Sequence, residues 1–232
     1  MGSALKRKAV LLTAALVLSP LTALAQAGAG VTADAFFGTI SDAYGKVHDY
    51  EATLTITRGK DTQVGTISYK SPVFMNVKFD QPKDEVINFN GEDLIIYDPA
   101  DAVVLKQTFK KKSPAQLEGL VSAQGLGLWQ RNYTISYLAG PSPVALEDGS
   151  HEQVVKLKLQ SKGGTLYSQM IVSVSRDQLL VRRVEGTMGN GDKVIMDFTN
   201  VRTNQGLPDS RFDYKEPPNV YMQPDWLFDP EE

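Results

Sequence analysis

Hydrophobic and polar residues alternate along most of the chain, and this pattern predicts a fold built mainly of β-strands. In residues 50–57 every second side chain is apolar, with Glu or Thr between them, as on a strand with one buried face. Further segments of this kind are separated by turns rich in Gly, Pro, Asn and Asp. They are residues 64–70, 73–79, 85–89, 94–97, 103–109, 133–138, 154–159, 166–174, 179–187, 194–201 and 211–214. About a dozen closely spaced strands predict one antiparallel barrel or sandwich.

Two segments have helical features instead. Residues 32–47 carry apolar side chains at helical spacing, and Thr32 can cap the N-terminus. Residues 113–116 combine an N-cap serine, a proline at the first helical position and a glutamine that completes a capping box, which predicts a short helix between the sixth and seventh strands. Residues 125–129 then place large apolar side chains on a glycine-rich backbone that permits close packing or movement. The alternative is a crossover helix that merely closes one end of the barrel.

The N-terminus has the three parts of a secretory signal peptide. Lys6, Arg7 and Lys8 precede the apolar residues 9–18, and an exit of small residues ends at Ala27. The alternative is a membrane anchor, but the apolar run is shorter than the ~20 residues that span a bilayer. We therefore expect cleavage after Ala27, with residues 28–232 forming a single exported domain.

The charge and the absence of cysteine exclude several classes of function. The chain has 24 Lys+Arg and 27 Asp+Glu, for a net charge of −3, and contains no cysteine. Loss of three basic residues with the signal peptide leaves an acidic protein, which is not expected to bind nucleic acid. Without cysteine the chain has no disulfides, no thiolate metal site, no cysteine nucleophile and no cysteine-linked lipid. The sequence thus predicts a protein that is exported but not lipidated.

No motif predicts catalysis or a cofactor. The two histidines, His48 and His151, lie in segments expected at the surface and lack the spacing of a metal pair. No nucleophile elbow or nucleotide-binding loop follows a strand, and the paired carboxylates fit solvated turns. We therefore predict a protein that is not an enzyme and binds no metal or cofactor. The apolar side chains that remain could form either a filled core or a covered cavity, and periodicity does not separate the two.

Four segments resemble a known family. Residues 70–77, 93–99, 128–135 and 211–221 are similar, in order and spacing, to successive segments of the outer-membrane lipoprotein carrier (LolA) family. The resemblance extends from Phe36 to Tyr221. It implies a mainly β fold, a half-open antiparallel barrel of about 11–12 strands with an N-terminal helix and short lid helices.

The resemblance also implies where acyl chains would bind. Matched positions place the following residues on the concave face: Tyr50, Leu54, Ile67, Met75, Val77, Phe89 and Leu105. The alternating apolar pattern adds Ile56, Tyr69, Phe79 and Ile87 to this cavity. The lid residues that follow from the resemblance are Phe36, Ile40, Leu117, Leu120 and Trp129.

The implied function is a soluble, monomeric periplasmic carrier of lipoprotein acyl chains. It would receive them from an inner-membrane ABC transporter and pass them to an outer-membrane receptor. The alternatives are a periplasmic sensor of envelope stress that binds lipid or lipoprotein, and a carrier of another lipid. Two departures from the family pattern bear on this: Ser71 stands where the family has the arginine that holds its lid, and Val77 stands where it has tryptophan. Residues 222–232 extend beyond the matching region.

Overall fold

The structure is a computed structural model that describes residues 30–109 and 121–226. The expected signal peptide, the expected helix that begins at Ser113, and the lid residues Leu117 and Leu120 lie outside these ranges. The last six residues, 227–232, also lie outside them.

Thirteen strands form one sheet in the described parts of the chain. They are β1 (Asp49–Arg58), β2 (Asp61–Lys70), β3 (Phe74–Gln81), β4 (Val86–Phe89), β5 (Asp93–Asp98), β6 (Val103–Thr108), β7 (Tyr133–Tyr137), β8 (Val144–Ala145), β9 (Gln153–Ser161), β10 (Tyr167–Ser175), β11 (Val181–Met188), β12 (Lys193–Thr203) and β13 (Tyr221–Pro224). Their order in the sheet is β13-β6-β5-β4-β3-β2-β1-β12-β11-β10-β9-β7, with β8 also paired to β9. All pairs are antiparallel except β13 with β6. The two ends of this order do not pair, so the sheet is not closed into a barrel.

The expected mainly β, half-open architecture is confirmed, with local corrections. The expected strand at 211–214 is wrong, because Asp209–Phe212 forms a 3-10 turn. The sequence analysis missed β8, which has two residues, and β13, whose four residues are all exposed. Neither strand has an apolar alternation, because neither has one buried and one solvated face.

Two helices lie in the described residues. In α1 (Ala33–Gly45) the Thr32 hydroxyl accepts a hydrogen bond from the Ala35 N–H at 3.2 Å, as expected from the sequence. The second helix, α2 (Ala123–Asn132), is capped by the Ser122 hydroxyl, which accepts from the Gly125 N–H at 3.1 Å. It includes residues 125–129, which the sequence analysis treated as a flexible segment. Each helical glycine costs about 1 kcal/mol relative to alanine, and burial of the large neighbouring side chains outweighs this.

The sheet has an inner face, which the two helices cover, and an outer face. The inner face belongs to a continuous core that also contains the buried side chains of α1 and α2. The outer face is covered only locally. Phe212 packs on the Phe74 ring, with centroids 5.7 Å apart, and its carbonyl accepts from the Asn88 side chain at 3.0 Å. The outer face of the central strands stays polar, and there Glu51 binds Arg202 and Arg211.

A buried carboxylate joins the end of α1 to the segment after β12. Asp49 is 4% exposed, and its carboxylate accepts the backbone N–H groups of Gln205 at 2.7 Å, Gly206 at 3.0 Å and Leu207 at 3.3 Å. Asn204 adds two bonds, accepting from the His48 N–H and donating to the Lys46 carbonyl. The helix-to-strand junction is therefore fixed by polar groups that are far away along the chain.

Candidate functional site

The strand register brings all the expected cavity residues of β1 to β6 onto the inner face. Cross-strand partners point to the same side of a sheet. One row across the strands contains Tyr50, Tyr69, Met75 and Phe89, and a second contains Ile67, Val77, Ile87 and Leu105. Leu54 and Phe79 face each other across Gly65, and Ile56 follows Leu54 on the same side of β1. Their role in binding an acyl chain stays a prediction.

These residues differ in how far they are covered. The buried ones are Tyr50, Leu54, Ile67, Tyr69, Val77, Phe79 and Phe89. The half-buried ones are Ile56, Met75, Ile87 and Leu105. The expected cavity residues are therefore only partly shielded from solvent, with half-buried members in β1, β3, β4 and β6.

The helices contribute the residues that cover the inner face. Phe37 and Ile40 of α1 are fully buried, and Trp129 of α2 is 4% exposed. Phe36, which the resemblance placed in the lid, is half-buried and packs against the ring of Tyr137 of β7, with centroids 6.1 Å apart. Both neighbours on α1 therefore contact the core, and Phe37 is the more deeply buried of the two.

Sequence reasoning missed the second half of the inner face. Strands β9 to β12 supply buried side chains that the register places opposite one another. They are Leu157, Leu159, Met170, Val172, Val184 and Phe198. The same alternation that marked β1 marks these strands, so the signal was present in the sequence.

The inner face under the helices is packed closely. An apolar cavity lies beside the end of α1, between Tyr44, Tyr50, Val121 and Phe198, and has a volume of about 10 Å³. Pockets that hold small ligands measure about 300–1,000 Å³. This cavity has no room for an acyl chain while the helices lie as they do.

Towards β6 the inner face is less completely covered. Leu94, Ile96 and Leu105 are half-buried, and the register places all three on the inner side. Gln107, in the row of Leu94, is fully buried and its side-chain amide donates to the Thr108 carbonyl. An apolar surface therefore continues from the packed core to this part of the sheet.

Three tyrosines lie where α1 and α2 meet the sheet. The rings of Tyr50 and Tyr69 stack at 5.2 Å, and the hydroxyl of Tyr44 accepts the Val181 N–H at 3.1 Å. Burial raises the pKa of Tyr44, and burial together with the neighbouring Tyr44 and Tyr69 raises the pKa of Tyr50. Burial also raises the pKa of Tyr69, against the opposing effect of hydrogen bonds to serine hydroxyls. All three phenols are therefore neutral at physiological pH.

This cluster predicts that the protein unfolds in alkaline solution. The folded state holds the phenolic protons more tightly than the unfolded chain, so stability is unaffected below pH 10 and falls as the pH rises above it. Each buried phenol lowers the unfolding free energy by about 1.4 kcal/mol per pH unit in that range. As the pH rises, we expect the phenolate absorbance to increase over the same range in which the near-ultraviolet circular dichroism signal is lost. Titration of all nine tyrosines near pH 10 with the fold intact would contradict this expectation.

The acidic residues and histidines of the described ranges do not supply what a metal site needs. His48 and His151 are both exposed, as the sequence indicated. Within residues 30–109 and 121–226 no group of three or more His, Cys, Asp or Glu side chains is placed to hold a metal. In the same residues, no helix has the length and hydropathy needed to cross a membrane.

This arrangement defines a class of folds: an open antiparallel sheet that presents an apolar inner face beneath helices. Residues 52–215 match the family model described as outer membrane lipoprotein carrier protein LolA. The chain therefore belongs to this family, and membership indicates a carrier-like role in binding lipid or lipoprotein. No curated protein matches the sequence.

The solved structures to which this chain is similar share little sequence with it. An uncharacterised conserved protein from Thermus thermophilus has a TM-score of 0.54 and 11% identity, covering 81% of this chain and 98% of that one. A LolA superfamily protein from Nitrosomonas europaea has a TM-score of 0.40 and 12% identity, covering 79% and 98%. The Pseudomonas aeruginosa MucA/MucB complex has a TM-score of 0.49 and 12% identity, and the match covers 79% of this chain and 61% of that one. Only the first of these three is similar enough to support the fold, and at this identity it supports the fold alone.

Proposed function

We propose that the mature chain, residues 28–232, is a monomeric periplasmic carrier that binds the acyl chains of lipoproteins and moves them from the inner to the outer membrane. The observation that carries this proposal is the inner face of the sheet. Every cavity residue expected from the family resemblance and the alternating pattern lies on this face, which two helices partly cover.

The energetics favour such a carrier. At ~0.8 kcal/mol per methylene, an acyl chain of about 16 carbons left in water costs on the order of 13 kcal/mol. Exposing a buried large side chain costs about 1.5–3 kcal/mol, so moving α1 away from the sheet, with Phe37, Ile40 and Tyr44, costs about 5–9 kcal/mol. Entry of one acyl chain can therefore offset displacement of a helix, and departure of the chain lets the helix return.

The half-buried apolar residues near β6 support a route of entry. Leu94, Ile96 and Leu105 already offer apolar surface that continues into the packed core. A chain that first lies on these side chains can displace the helices progressively, because each step replaces one apolar contact with another. No step then exposes the whole inner face to water.

The proposed partners follow from the transport route. An inner-membrane ABC transporter would supply the lipoprotein and an outer-membrane receptor would accept it. The absence of cysteine distinguishes the chain from a receptor anchored through a lipidated cysteine. The carrier would use no cofactor and would bind no nucleic acid.

Transfer of a labelled lipoprotein tests this function. Purified mature protein is mixed with inner-membrane vesicles that contain a fluorescent acylated lipoprotein, and soluble fluorescence is measured after the vesicles are removed. Leu105→Asp, which places a charge on the half-buried inner face, should reduce extraction strongly. Thr55→Asp, on the outer face, should leave extraction unchanged. Folded wild-type protein that extracts no lipoprotein would overturn the proposal, and a stable membrane signalling partner recovered without transfer would favour the sensor.

A further inference from the structure

Tyr69 of β2 makes polar contacts with the start of α2, to Gln124 and to the hydroxyl of the capping Ser122. The Tyr69 hydroxyl lies 3.3 Å from the side-chain oxygen of Gln124 and 3.1 Å from the carbonyl of Pro72. Tyr69 is 2% exposed, and its ring is held from the other side by the stacked ring of Tyr50. The hydroxyl is therefore fixed in position at the place where α2 begins.

We propose that Tyr69 is the latch that holds α2 over the inner face, through its hydrogen bond to Gln124. This inference rests on the proposed function, because it names the contact that controls access to the acyl-chain site. The Ser122 hydroxyl caps α2 two residues before Gln124, so the latch acts on the capped end of the helix. Movement of α2 away from the sheet must break the bond between Tyr69 and Gln124.

The geometry makes this latch easy to release. A hydroxyl has one hydrogen to donate, and the Tyr69 hydroxyl has the Pro72 carbonyl and the Gln124 side chain within reach, besides the hydroxyls of Ser71 and Ser122. Pro72 lies in the turn between β2 and β3 and remains in place when α2 moves. The hydroxyl then donates to Pro72 alone, so no buried donor is left without a partner. The latch therefore biases the helix towards the sheet without locking it there.

The uncharged latch is consistent with the serine at position 71. A serine there has no cationic group with which to hold a helix by charge. A bond between a neutral phenol and a neutral amide does not weaken as salt screens charges. We therefore expect the position of α2 to be insensitive to ionic strength, unlike that of a helix held by an exposed ion pair.

Trp129 supplies a direct measurement of helix position. It lies in α2 and is 4% exposed, so movement of the helix brings its indole into contact with solvent. The other tryptophan, Trp226, has a buried Nε1 with no hydrogen-bond partner, so Trp226→Phe removes an unpaired polar atom. In this single-tryptophan background, acrylamide quenching of fluorescence and hydrogen exchange of the α2 amides are measured without lipid for Tyr69→Phe, for Gln124→Ala and for the two changes together.

We expect Tyr69→Phe to increase the exposed population of Trp129 about threefold to fivefold, as befits one shared neutral hydrogen bond. Gln124→Ala should act in the same direction with a smaller effect, because the contact between Tyr69 and Ser122 remains. The double variant should not exceed Tyr69→Phe, because that change already removes both contacts. Tyr137→Phe is the control, since its hydroxyl also donates to a backbone carbonyl, that of Val31 at 2.9 Å, but does not contact α2. It should leave Trp129 quenching unchanged.

The possible outcomes distinguish failure of the latch proposal from failure of the proposed carrier function. Unchanged quenching in both Tyr69→Phe and Gln124→Ala would overturn the latch even if the protein extracts lipoprotein. Equal effects of Tyr69→Phe and Tyr137→Phe would also overturn it, since loss of any hydroxyl would then be sufficient. Increased quenching with no extraction by any variant would support the latch and refute the carrier function.

Discussion

Tying α2 covalently to the turn between β2 and β3 is expected to abolish uptake of acyl chains. In a Ser71→Cys/Gln124→Cys variant the two introduced thiols are the only ones in the chain, because the natural sequence contains no cysteine. A short bismaleimide that joins them holds α2 near Tyr69, to which Gln124 is already bonded. The apolar cavity beneath the helices measures about 10 Å³, so an acyl chain enters only if the cover moves.

We expect the cross-linked protein to bind a fluorescent fatty acyl probe at least about 100-fold more weakly than the same variant treated with a monofunctional maleimide. The control is a Thr53→Cys/Thr66→Cys variant, which joins two residues that face each other on the outer side of β1 and β2. Cross-linking there should not alter binding. Normal binding of the probe by the cross-linked Ser71→Cys/Gln124→Cys protein would show that the acyl chain enters without displacing α2, either along the half-buried surface near β6 or by displacing α1.

Replacing Asp49 with alanine is expected to produce the largest loss of stability among single substitutions of polar residues. The carboxylate accepts three backbone N–H groups of residues 205–207, and alanine leaves these donors without an acceptor in the protein. Hydrogen bonds to a buried charged group contribute about 1.5–3 kcal/mol each, and solvent replaces part of this at the exposed positions. We expect the unfolding free energy to fall by about 3 kcal/mol or more, measured by urea denaturation.

Asp42→Ala is the matched control, because Asp42 is an exposed acid on α1 and alanine is a good helix former. Its effect should lie within about 0.5 kcal/mol. Asp49→Ala should also speed hydrogen exchange at the end of α1, since the same polar group fixes the junction between that helix and β1. A loss of less than about 1 kcal/mol would mean that solvent replaces the carboxylate fully and that the junction is held by Asn204 instead.

Much of the fold could be predicted because its strands bury one face and expose the other. Alternation located β1 to β7 and β9 to β12 and identified which side chains share a face. The failures were local and have physical causes. The 3-10 turn at residues 209–212 was taken for part of a strand because Phe212 and Tyr214 alternate with charged residues, while β13 is exposed on both faces and has no pattern to detect.

The candidate site was predictable only in part. The family resemblance and the alternation together found the inner-face residues of β1 to β6, but they did not reveal that Phe37 is the fully buried member of the pair Phe36 and Phe37. Adjacent helical positions are about 100° apart, so the two rings contact different neighbours. How α1 packs decides which ring is buried more deeply, and here Phe36 lies against Tyr137 of β7 and stays half-buried.

Local alternation predicted one antiparallel barrel or sandwich, and the family resemblance narrowed this to a half-open barrel. The two together predicted the residues that share the inner face, and composition excluded thiol chemistry. Only the folded arrangement showed whether that face is filled or empty and what holds the helices on it. Packing depends on the distance between elements, and the bond from Tyr69 to Gln124 joins residues that lie 55 positions apart. Such contacts leave no periodic signal in the chain, since they exist only when the sheet and the helices have come together.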